Sequence, residues 1–142
     1  VSKISLATGA RWSEAENITL QQLKRHNVSL TKTKGKKNRT IPISKELYQE
    51  IFDYLTEFGS FGTSTISAFR RALAKTSIKL PKGQAAHVLR HTFASHFMIN
   101  GGNILTLQKA LGHSSIIMTM RYAHLAPDHL QEVVNLNPLN ES

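Results

Sequence analysis

The pattern of apolar and polar positions predicts a mainly helical chain that carries one small sheet. The clearest helical period follows Ser44, where apolar side chains recur every three or four positions and acidic side chains occupy the opposite face. The apolar positions are Leu47, Ile51, Tyr54 and Leu55, and the acidic ones are Glu46, Glu50, Asp53 and Glu57. Similar periods predict helices over 13–18, 64–75, 84–100, 104–111, 115–124 and 128–134, with Leu89, Phe93 and Phe97 of the longest facing inward.

Short apolar segments bounded by polar turns predict the sheet. The three strands are expected at 20–23, 28–30 and 40–43, with turns at 24–27 and 34–38. Pro42 suits an edge strand, because proline has no backbone N–H to donate to a neighbouring strand.

The first residues are interpreted as the end of a helix. Gly9 is placed to stop it, since glycine tolerates the left-handed backbone geometry of a helix terminus. The expected fold class is therefore α+β. A single, mainly helical domain spans 1–142, with a three-stranded antiparallel sheet near the N-terminus and a polar tail at 135–142.

The composition fits a folded domain of ordinary size. Of the 142 residues, 40% are hydrophobic and 19% charged, which provides enough apolar material for a core and excludes a disordered chain. There is no cysteine, which excludes disulfides, thiolate catalysis and zinc–thiolate sites. No apolar run approaches the roughly 18 residues of a membrane helix, and the first residues are too mixed for a signal peptide.

The charge is strongly positive and unevenly distributed. Eighteen Lys and Arg against nine Asp and Glu give a formal net charge of +9. No acid lies between Glu16 and Glu46 or between Phe58 and Pro127, although basic residues are frequent in both intervals. Basic surfaces free of acids are typical of proteins that bind a polyanion, and we expect nucleic acid as the partner. On charge alone, a basic domain without such a partner is the alternative.

His87 and Arg90 are three positions apart on a predicted helix and should point the same way. Arginine presents a planar fork of donors to phosphate oxygens, and histidine can donate to a third oxygen. A core histidine beside an exposed arginine is the alternative. A metal site at His87 and His91 is disfavoured, because Val88 stands where zinc proteases carry a glutamate and no nearby carboxylate completes a ligand set.

Three further residues become candidates only in combination with this pair. His113 follows Gly112 at a tight turn between two predicted helices, where a histidine can face a ligand. Tyr122 follows His113 by nine positions, and Arg11 comes just after the turn at Gly9. Taken singly, the tyrosine is by default a packing residue and the arginine a surface residue.

The order of these residues resembles the signature of the tyrosine recombinases of the phage integrase type. That family carries a T-G-x-R-x-x-E box, an H-x-L-R-H-T-F-A box, an L-G-H box and a tyrosine nine residues beyond the last histidine. The matching segments are 8–14 (TGARWSE), 87–94 (HVLRHTFA), 111–113 (LGH) and Tyr122. Order, spacing and flanking residues agree, and the match covers nearly the whole chain.

The resemblance implies a site-specific DNA recombinase that requires neither a metal nor another cofactor. Tyr122 is the expected nucleophile, which forms a 3′-phosphotyrosyl link and releases a 5′-hydroxyl. Arg11 and Arg90 are expected to clamp the non-bridging oxygens of the scissile phosphate, with His113 as a further donor. Because a phenol keeps its proton at neutral pH, His87 is the expected base or positioning residue.

The resemblance also implies a lysine in the turn between the second and third strands. Counting back from the R-x-x-P segment at 39–42 identifies Lys34, which would deliver a proton to the leaving 5′-oxygen. Lys32, Lys36 and Lys37 lie close by. In the alternative, all four side chains neutralise phosphates on a hairpin.

Two departures from the family pattern are present. Val88 replaces the aspartate that usually follows the histidine of the second box, a position beside the expected active set. The N-terminal DNA-clamping domain of the family, and a further helix before the first arginine, have no counterpart here. The sequence is therefore expected to be a fragment that reacts only weakly with DNA by itself.

Double-stranded DNA with attachment sites is the implied substrate, and four subunits are expected to assemble on two sites. Apolar residues beyond Tyr122 favour dimer or tetramer contacts through the C-terminal tail, with folding back on its own domain as the alternative. These residues are Leu130, Val133, Val134, Leu136 and Leu139. DNA-bending accessory proteins, and action in the cytoplasm of a bacterial host at its nucleoid, are further expectations.

Three other functions stay open at this point. A chromosome-dimer-resolving recombinase would use the same chemistry, and so would a type IB topoisomerase-like enzyme that nicks and reseals one duplex. The short spacing between boxes and the L-G-H-S-S segment favour a recombinase over a topoisomerase. A non-catalytic DNA-binding module is disfavoured, because a decayed site should have lost some of the six residues and none is lost.

Overall fold

The computed structural model describes residues 1–31 and 38–140, and these form the predicted α+β fold. The helices are α1 (Ser2–Thr8), α2 (Trp12–Glu16), α3 (Lys45–Phe58), α4 (Thr65–Ala74), α5 (Val88–Ile99), α6 (Ile104–Leu111), α7 (Ile116–Thr119) and α8 (Glu132–Leu136). The strands are β1 (Leu23–Lys24), β2 (Asn27–Leu30) and β3 (Arg39–Pro42), and 3-10 segments lie at Leu20–Gln22 and Met120–Leu125. Within the described ranges, no helix is both long and apolar enough to cross a lipid bilayer.

The small sheet is antiparallel and places its middle strand in the core. The strand order is β1-β2-β3, and Val28 of β2 lies opposite Leu23 on one side and Ile41 on the other. Side chains alternate across a strand, so Val28 and Leu30 are both buried on the same face. β3 forms an edge of the sheet, where the missing N–H of Pro42 is tolerated.

Two apolar clusters form the core. The first joins α1, α2, the sheet and α3, and consists of Ile4, Ala10, Ala15, Ile18, Leu23, Val28, Leu30, Ile51 and Leu55. The second joins α5, α6 and the 3-10 segment at 120–125, and consists of Ala94, Met98, Leu107, Leu111 and Tyr122. Helix α1 also packs against α5, which brings the two clusters together.

Gly9 ends α1 as predicted and lies where the two clusters meet. Its backbone is left-handed, with a φ of 74°. A Cβ at this position would lie 2.6 Å from Phe93 Cδ1 and 2.8 Å from Leu111 Cδ2. Glycine is therefore required both by the backbone conformation and by the close approach of α5 and α6.

Helix α5 is shorter than the predicted helix 84–100 and buries a different face. It begins at Val88, because the residues before it form turns in which the His87 N–H donates to the carbonyl of Gln84. Its buried positions recur every four residues, at Arg90, Ala94 and Met98. Phe93, Phe97 and Leu89 are all half-buried. Phe93 and Phe97 pack against the second cluster, whereas Leu89, which was also predicted to face the core, packs against neither cluster.

Other boundaries also differ from the prediction. Residues 20–22 form a 3-10 turn instead of a strand, because the Gln22 side chain accepts a hydrogen bond from the Thr19 N–H at 3.0 Å and closes the turn. The predicted helix 115–124 divides into α7 and the 3-10 segment that contains Tyr122. The last helix runs later than 128–134, so the predicted tail begins inside α8.

Candidate active site

One pocket, of about 370 Å³, gathers side chains from distant parts of the sequence. It is lined by Arg11, Gln84, His87, Arg90, His91, His113, Met118, Arg121 and Tyr122. Five of the six residues predicted from the sequence therefore share a cavity, and the sixth, Lys34, lies outside the described residues. None of the lining residues that the structure describes is acidic, and three of them are arginines, so the pocket is strongly cationic.

Arg90 connects the turns that frame the pocket. Its Nη1 donates to the Gly9 carbonyl at 2.9 Å and its Nη2 donates to the Leu111 carbonyl at 2.8 Å. Burial, together with the nearby charges of Arg11 and Arg39, lowers the pKa of Arg90 to about 10. The guanidinium therefore still carries its charge at neutral pH, and it lines the pocket.

Arg11 is the N-cap residue of α2 and lines the pocket together with Arg90. Its Nε is buried and has no hydrogen-bond partner among the described residues. Its positive charge lies close enough to contribute to the lowered pKa of Arg90. Two guanidiniums that repel each other, one of them with an unsatisfied buried donor, favour an anion between them.

A buried ion pair supports the pocket from beneath. Arg39 on β3 donates through both terminal nitrogens to the Glu14 carboxylate of α2, at 2.7 Å and 3.0 Å, and its Nε donates to the Ala110 carbonyl at 2.6 Å. Burial alone would raise the pKa of Glu14. The hydrogen bonds from the Arg39 side chain and the Arg11 backbone, together with the charges of Arg39 and Arg90, hold this pKa below its ordinary value. The pair thus ties β3, α2 and α6 together.

His113 is held by contacts at both ring nitrogens. Its Nδ1 lies 2.7 Å from the hydroxyl of buried Thr119, and its Nε2 lies 3.3 Å from Nη2 of Arg90. An arginine can only donate, so Nε2 accepts in this arrangement and Nδ1 carries the proton towards Thr119. Gly112, with a φ of 69°, allows the tight turn that presents the ring.

Tyr122 is buried, and its hydroxyl contacts His91. The hydroxyl oxygen lies 2.5 Å from Nδ1 of His91, which is one helical turn beyond His87. Burial, followed by the charges of Arg121, His87 and Arg90, holds the pKa of His91 below its ordinary value. His87 lies exposed at the start of α5, with its ring centre 6.4 Å from that of His91.

Three residues of the site have roles that the sequence alone does not predict: His91, Glu14 and Arg39. His91 was considered only as a metal ligand, although its spacing of four from His87 already placed both rings on one side of α5. Glu14 and Arg39 both lie in the segments that carry the resemblance, but only the fold shows that they pair. Within 1–31 and 38–140, no group of three or more histidine or acidic side chains is arranged to hold a metal ion.

Comparison with known proteins identifies the family. The model of the phage integrase family matches residues 1–129. The integrase of Escherichia phage 186 is 60% identical over 139 residues, which cover 98% of this chain and 41% of that protein. The XerC tyrosine recombinase of Caldanaerobacter subterraneus is 35% identical over 155 residues, covering 96% of this chain and 43% of that protein.

A solved structure agrees in fold as well as in sequence. The catalytic domain of bacteriophage HP1 integrase is 50% identical and superposes with a TM-score of 0.86, covering 99% of this chain and 83% of that one. The chain spans about two-fifths of the length of the curated relatives it matches. With its pocket, its helical fold with one small sheet and its motifs in the expected order, the chain belongs to the phage integrase family and has the fold of a tyrosine recombinase catalytic domain.

Proposed function

We propose that this chain is the catalytic domain of a site-specific integrase, which cuts and rejoins DNA through a 3′-phosphotyrosyl link to Tyr122. The observation that carries the proposal is the shared pocket: the guanidiniums of Arg11 and Arg90 and the ring of His113 line the same cavity as the Tyr122 side chain. A DNA phosphodiester is an anion with the charge and size to occupy such a pocket. The phenolic oxygen would then be the nucleophile within reach of its phosphorus.

Each of these residues has a separate role in phosphoryl transfer. Arg11 and Arg90 stabilise the negative charge on the non-bridging oxygens as the pentavalent geometry develops. His113 becomes a further donor when its Nε2 takes up a proton and turns from Arg90 to the phosphate. The tyrosine oxygen bonds to phosphorus while the bond from phosphorus to the 5′-oxygen breaks. That oxygen leaves as a hydroxyl after taking a proton, for which Lys34 is the proposed source.

Covalent storage makes the reaction reversible without an energy source. The phosphotyrosyl bond keeps the energy of the broken phosphodiester, so a 5′-hydroxyl from another strand can attack it and restore the DNA. Strand exchange between two sites requires only that the attacking hydroxyl comes from the other duplex. This chemistry suits the integration and excision of a phage genome in the cytoplasm of a bacterial host.

Double-stranded DNA is the proposed substrate, and the distribution of charged residues along the chain supports this proposal. All the charged residues between Glu16 and Glu46, and between Phe58 and Pro127, are basic. Contacts to DNA phosphates should dominate the affinity, which should fall steeply as salt rises. Assembly of several subunits on two attachment sites, with DNA-bending accessory proteins, belongs to the same proposal.

Covalent trapping tests the proposal. A pool of nicked duplexes with random sequence is incubated with the chain, and adducts that survive denaturation are recovered and sequenced. The nick lets the short strand beyond the cut diffuse away, so cleavage cannot be reversed. Wild type should yield adducts enriched in a common site, and Tyr122→Phe should yield none. Sequencing of the recovered DNA detects even the weak reaction expected of this chain by itself. Absence of wild-type adducts, or equal adduct formation by Tyr122→Phe, would therefore refute the proposal.

A chromosome-dimer-resolving recombinase is the second candidate, supported by the similarity to XerC. The identity to the phage 186 integrase, at 60%, is much higher than the 35% to XerC, which favours the integrase. The recovered DNA sites distinguish the two functions. A phage attachment site supports integration, whereas a site at a chromosomal replication terminus supports dimer resolution.

A further inference from the structure

The hydroxyl of Tyr122 is held by a residue outside the expected set of catalytic groups. Nδ1 of His91 lies 2.5 Å from the phenolic oxygen, while the histidine of the expected set, His87, lies exposed at the end of the same helix. We infer that His91 orients the Tyr122 hydroxyl and accepts its proton as the oxygen attacks phosphorus. This inference rests on the proposed function, in which Tyr122 is the nucleophile.

Both partners of this contact are fixed by the fold. His91 lies on α5, next to buried Arg90, and Tyr122 packs in the second apolar cluster. The two rings lie 6.1 Å apart between centres and are inclined at 45°, so they meet through their polar atoms instead of stacking. The contact therefore does not depend on a mobile side chain that happens to approach the hydroxyl.

The groups around His91 keep its ring neutral before DNA binds. His87 and Arg90 face it from α5, Arg121 from the 3-10 segment, and Arg11 and His113 line the same pocket from other elements. Burial, followed by the charges of Arg121, His87 and Arg90, lowers the pKa of His91. Among the described residues, no acidic side chain lines the pocket to oppose them. A neutral imidazole has a free lone pair, which a phenolic O–H can use.

Binding of the phosphate should make this base stronger when it is needed. An anion in the pocket offsets the cations that depress the basicity of the ring. The O–H bond of Tyr122 then breaks, its proton moves to Nδ1 of His91, and the oxygen bonds to phosphorus while the 5′-oxygen leaves. In the rejoining step the 5′-hydroxyl gives its proton back to the group that protonated it and its oxygen bonds to phosphorus. The bond from phosphorus to Tyr122 breaks, and His91 returns the proton to the phenolic oxygen.

The test separates activation of the nucleophile from protonation of the leaving group. Rates of adduct formation are measured against pH on two nicked duplexes of a recovered site, one with an ordinary linkage and one with sulfur in place of the bridging 5′-oxygen. A thiolate leaves readily without a proton, so the sulfur substrate bypasses the general acid. The His91→Asn substitution keeps a polar group near the position of Nδ1. The asparagine side chain, however, does not accept a proton at any pH at which the protein stays folded. His96→Asn is the matched control, an exposed histidine of the same helix that does not line the pocket.

We expect His91→Asn to slow adduct formation on both substrates on the order of a hundredfold. The variant should also lack the fall in rate that we expect for wild type at acidic pH, where the imidazole is protonated. His96→Asn should retain the wild-type rate and profile. A wild-type rate and profile for His91→Asn would overturn the inference, and so would its rescue by the sulfur substrate, which would assign His91 to the leaving group. Should His91→Asn fail to fold, as judged by circular dichroism, His91→Gln gives the same comparison. Adduct formation by Tyr122→Phe would instead refute the proposed function.

Discussion

Arg39 and Glu14 are 25 positions apart in the sequence and form a bidentate ion pair with N–O distances of 2.7 Å and 3.0 Å. Their side chains are only 8% and 5% exposed. A buried charge is tolerated because its partner and its hydrogen bonds replace the water that it has lost. Removal of either member leaves the other uncompensated, so the geometry of β3 and α2 beneath the pocket depends on the intact pair.

Glu14→Gln should therefore lower the free energy of unfolding by about 3 kcal/mol, measured by urea denaturation. Glu50→Gln is the control, because Glu50 pairs with Lys3 at 2.8 Å but both side chains are largely exposed, at 57% and 70%. Such a surface pair contributes less than about 1 kcal/mol. Equal losses for the two variants would contradict the role of burial.

The same pair gives a stability difference that depends on pH. Because the folded-state pKa of Glu14 lies below its ordinary value of 4.5, the ionised carboxylate stabilises the fold above that pH. This contribution is lost as the pH falls from 4.5 through the folded-state pKa. The difference between wild type and Glu14→Gln should thus shrink below pH 4.5. A difference that grows on acidification would show that the carboxylate is not stabilised in the fold.

Gly9→Ala should destabilise the protein by about 2 to 4 kcal/mol, since it combines left-handed strain with overlap against Phe93 and Leu111. Gly59 is the matched control: it has a φ of 78°, but a Cβ there would have no neighbour within 4 Å among the described residues. Gly59→Ala should cost only the strain, about 1 kcal/mol. Thermal unfolding of both variants gives the two losses of stability, and their difference is the contribution of packing around Gly9. Similar losses for the two variants would argue against such a contribution.

The sequence predicts the fold class and the gathering of the pocket residues better than it predicts individual contacts. Hydrophobic periodicity predicts α3 and α4 well, because each helix has its apolar side chains on one face and its polar side chains on the other. It fails at α5, where Arg90 occupies a core position that hydrophobicity assigns to Leu89. The carbonyls of Gly9 and Leu111 make this burial possible, and they come from turns that no local pattern connects to α5. For the same reason, spacing alone cannot decide which of His87 and His91 reaches Tyr122.

Arg11→Ala should slow adduct formation on nicked DNA on the order of a hundredfold, because a guanidinium that stabilises developing charge is lost. Arg11→Lys should recover only part of the rate, since an ammonium keeps the charge without the planar fork. Lys3→Ala serves as the control, because its amine pairs with Glu50 and does not line the pocket. If Arg11→Ala reacts at the same rate as Lys3→Ala, Arg11 does not bind the reacting phosphate.

Thr119→Val should reduce the rate of adduct formation about tenfold, since it removes the hydroxyl 2.7 Å from Nδ1 of His113 while keeping the shape of the buried side chain. Thr119→Ser restores a hydroxyl and should recover most of the rate. Quenched-flow measurement of adduct formation compares the three proteins. An unimpaired Thr119→Val would mean that the orientation of His113 does not limit the reaction.

Deletion of 135–142 should weaken self-association, which sedimentation velocity measures at several concentrations. The apolar side chains of the last segment are highly exposed within this chain, with Leu130 at 71%, Leu136 at 76% and Leu139 at 93%. Burial of these surfaces against a neighbouring subunit would remove apolar area from water. Leu136→Ser with Leu139→Ser should reproduce the effect of the deletion, and unchanged sedimentation of both variants would contradict a tail contact between subunits.

The two carbonyl contacts of Arg90 also set the order in which the pocket can form along the chain. One contact is to Gly9, 81 positions before Arg90, and the other is to Leu111, 21 positions after it. The buried guanidinium therefore has both carbonyl partners only after the chain has been synthesised beyond Leu111, and the pocket is complete only once Tyr122 has followed.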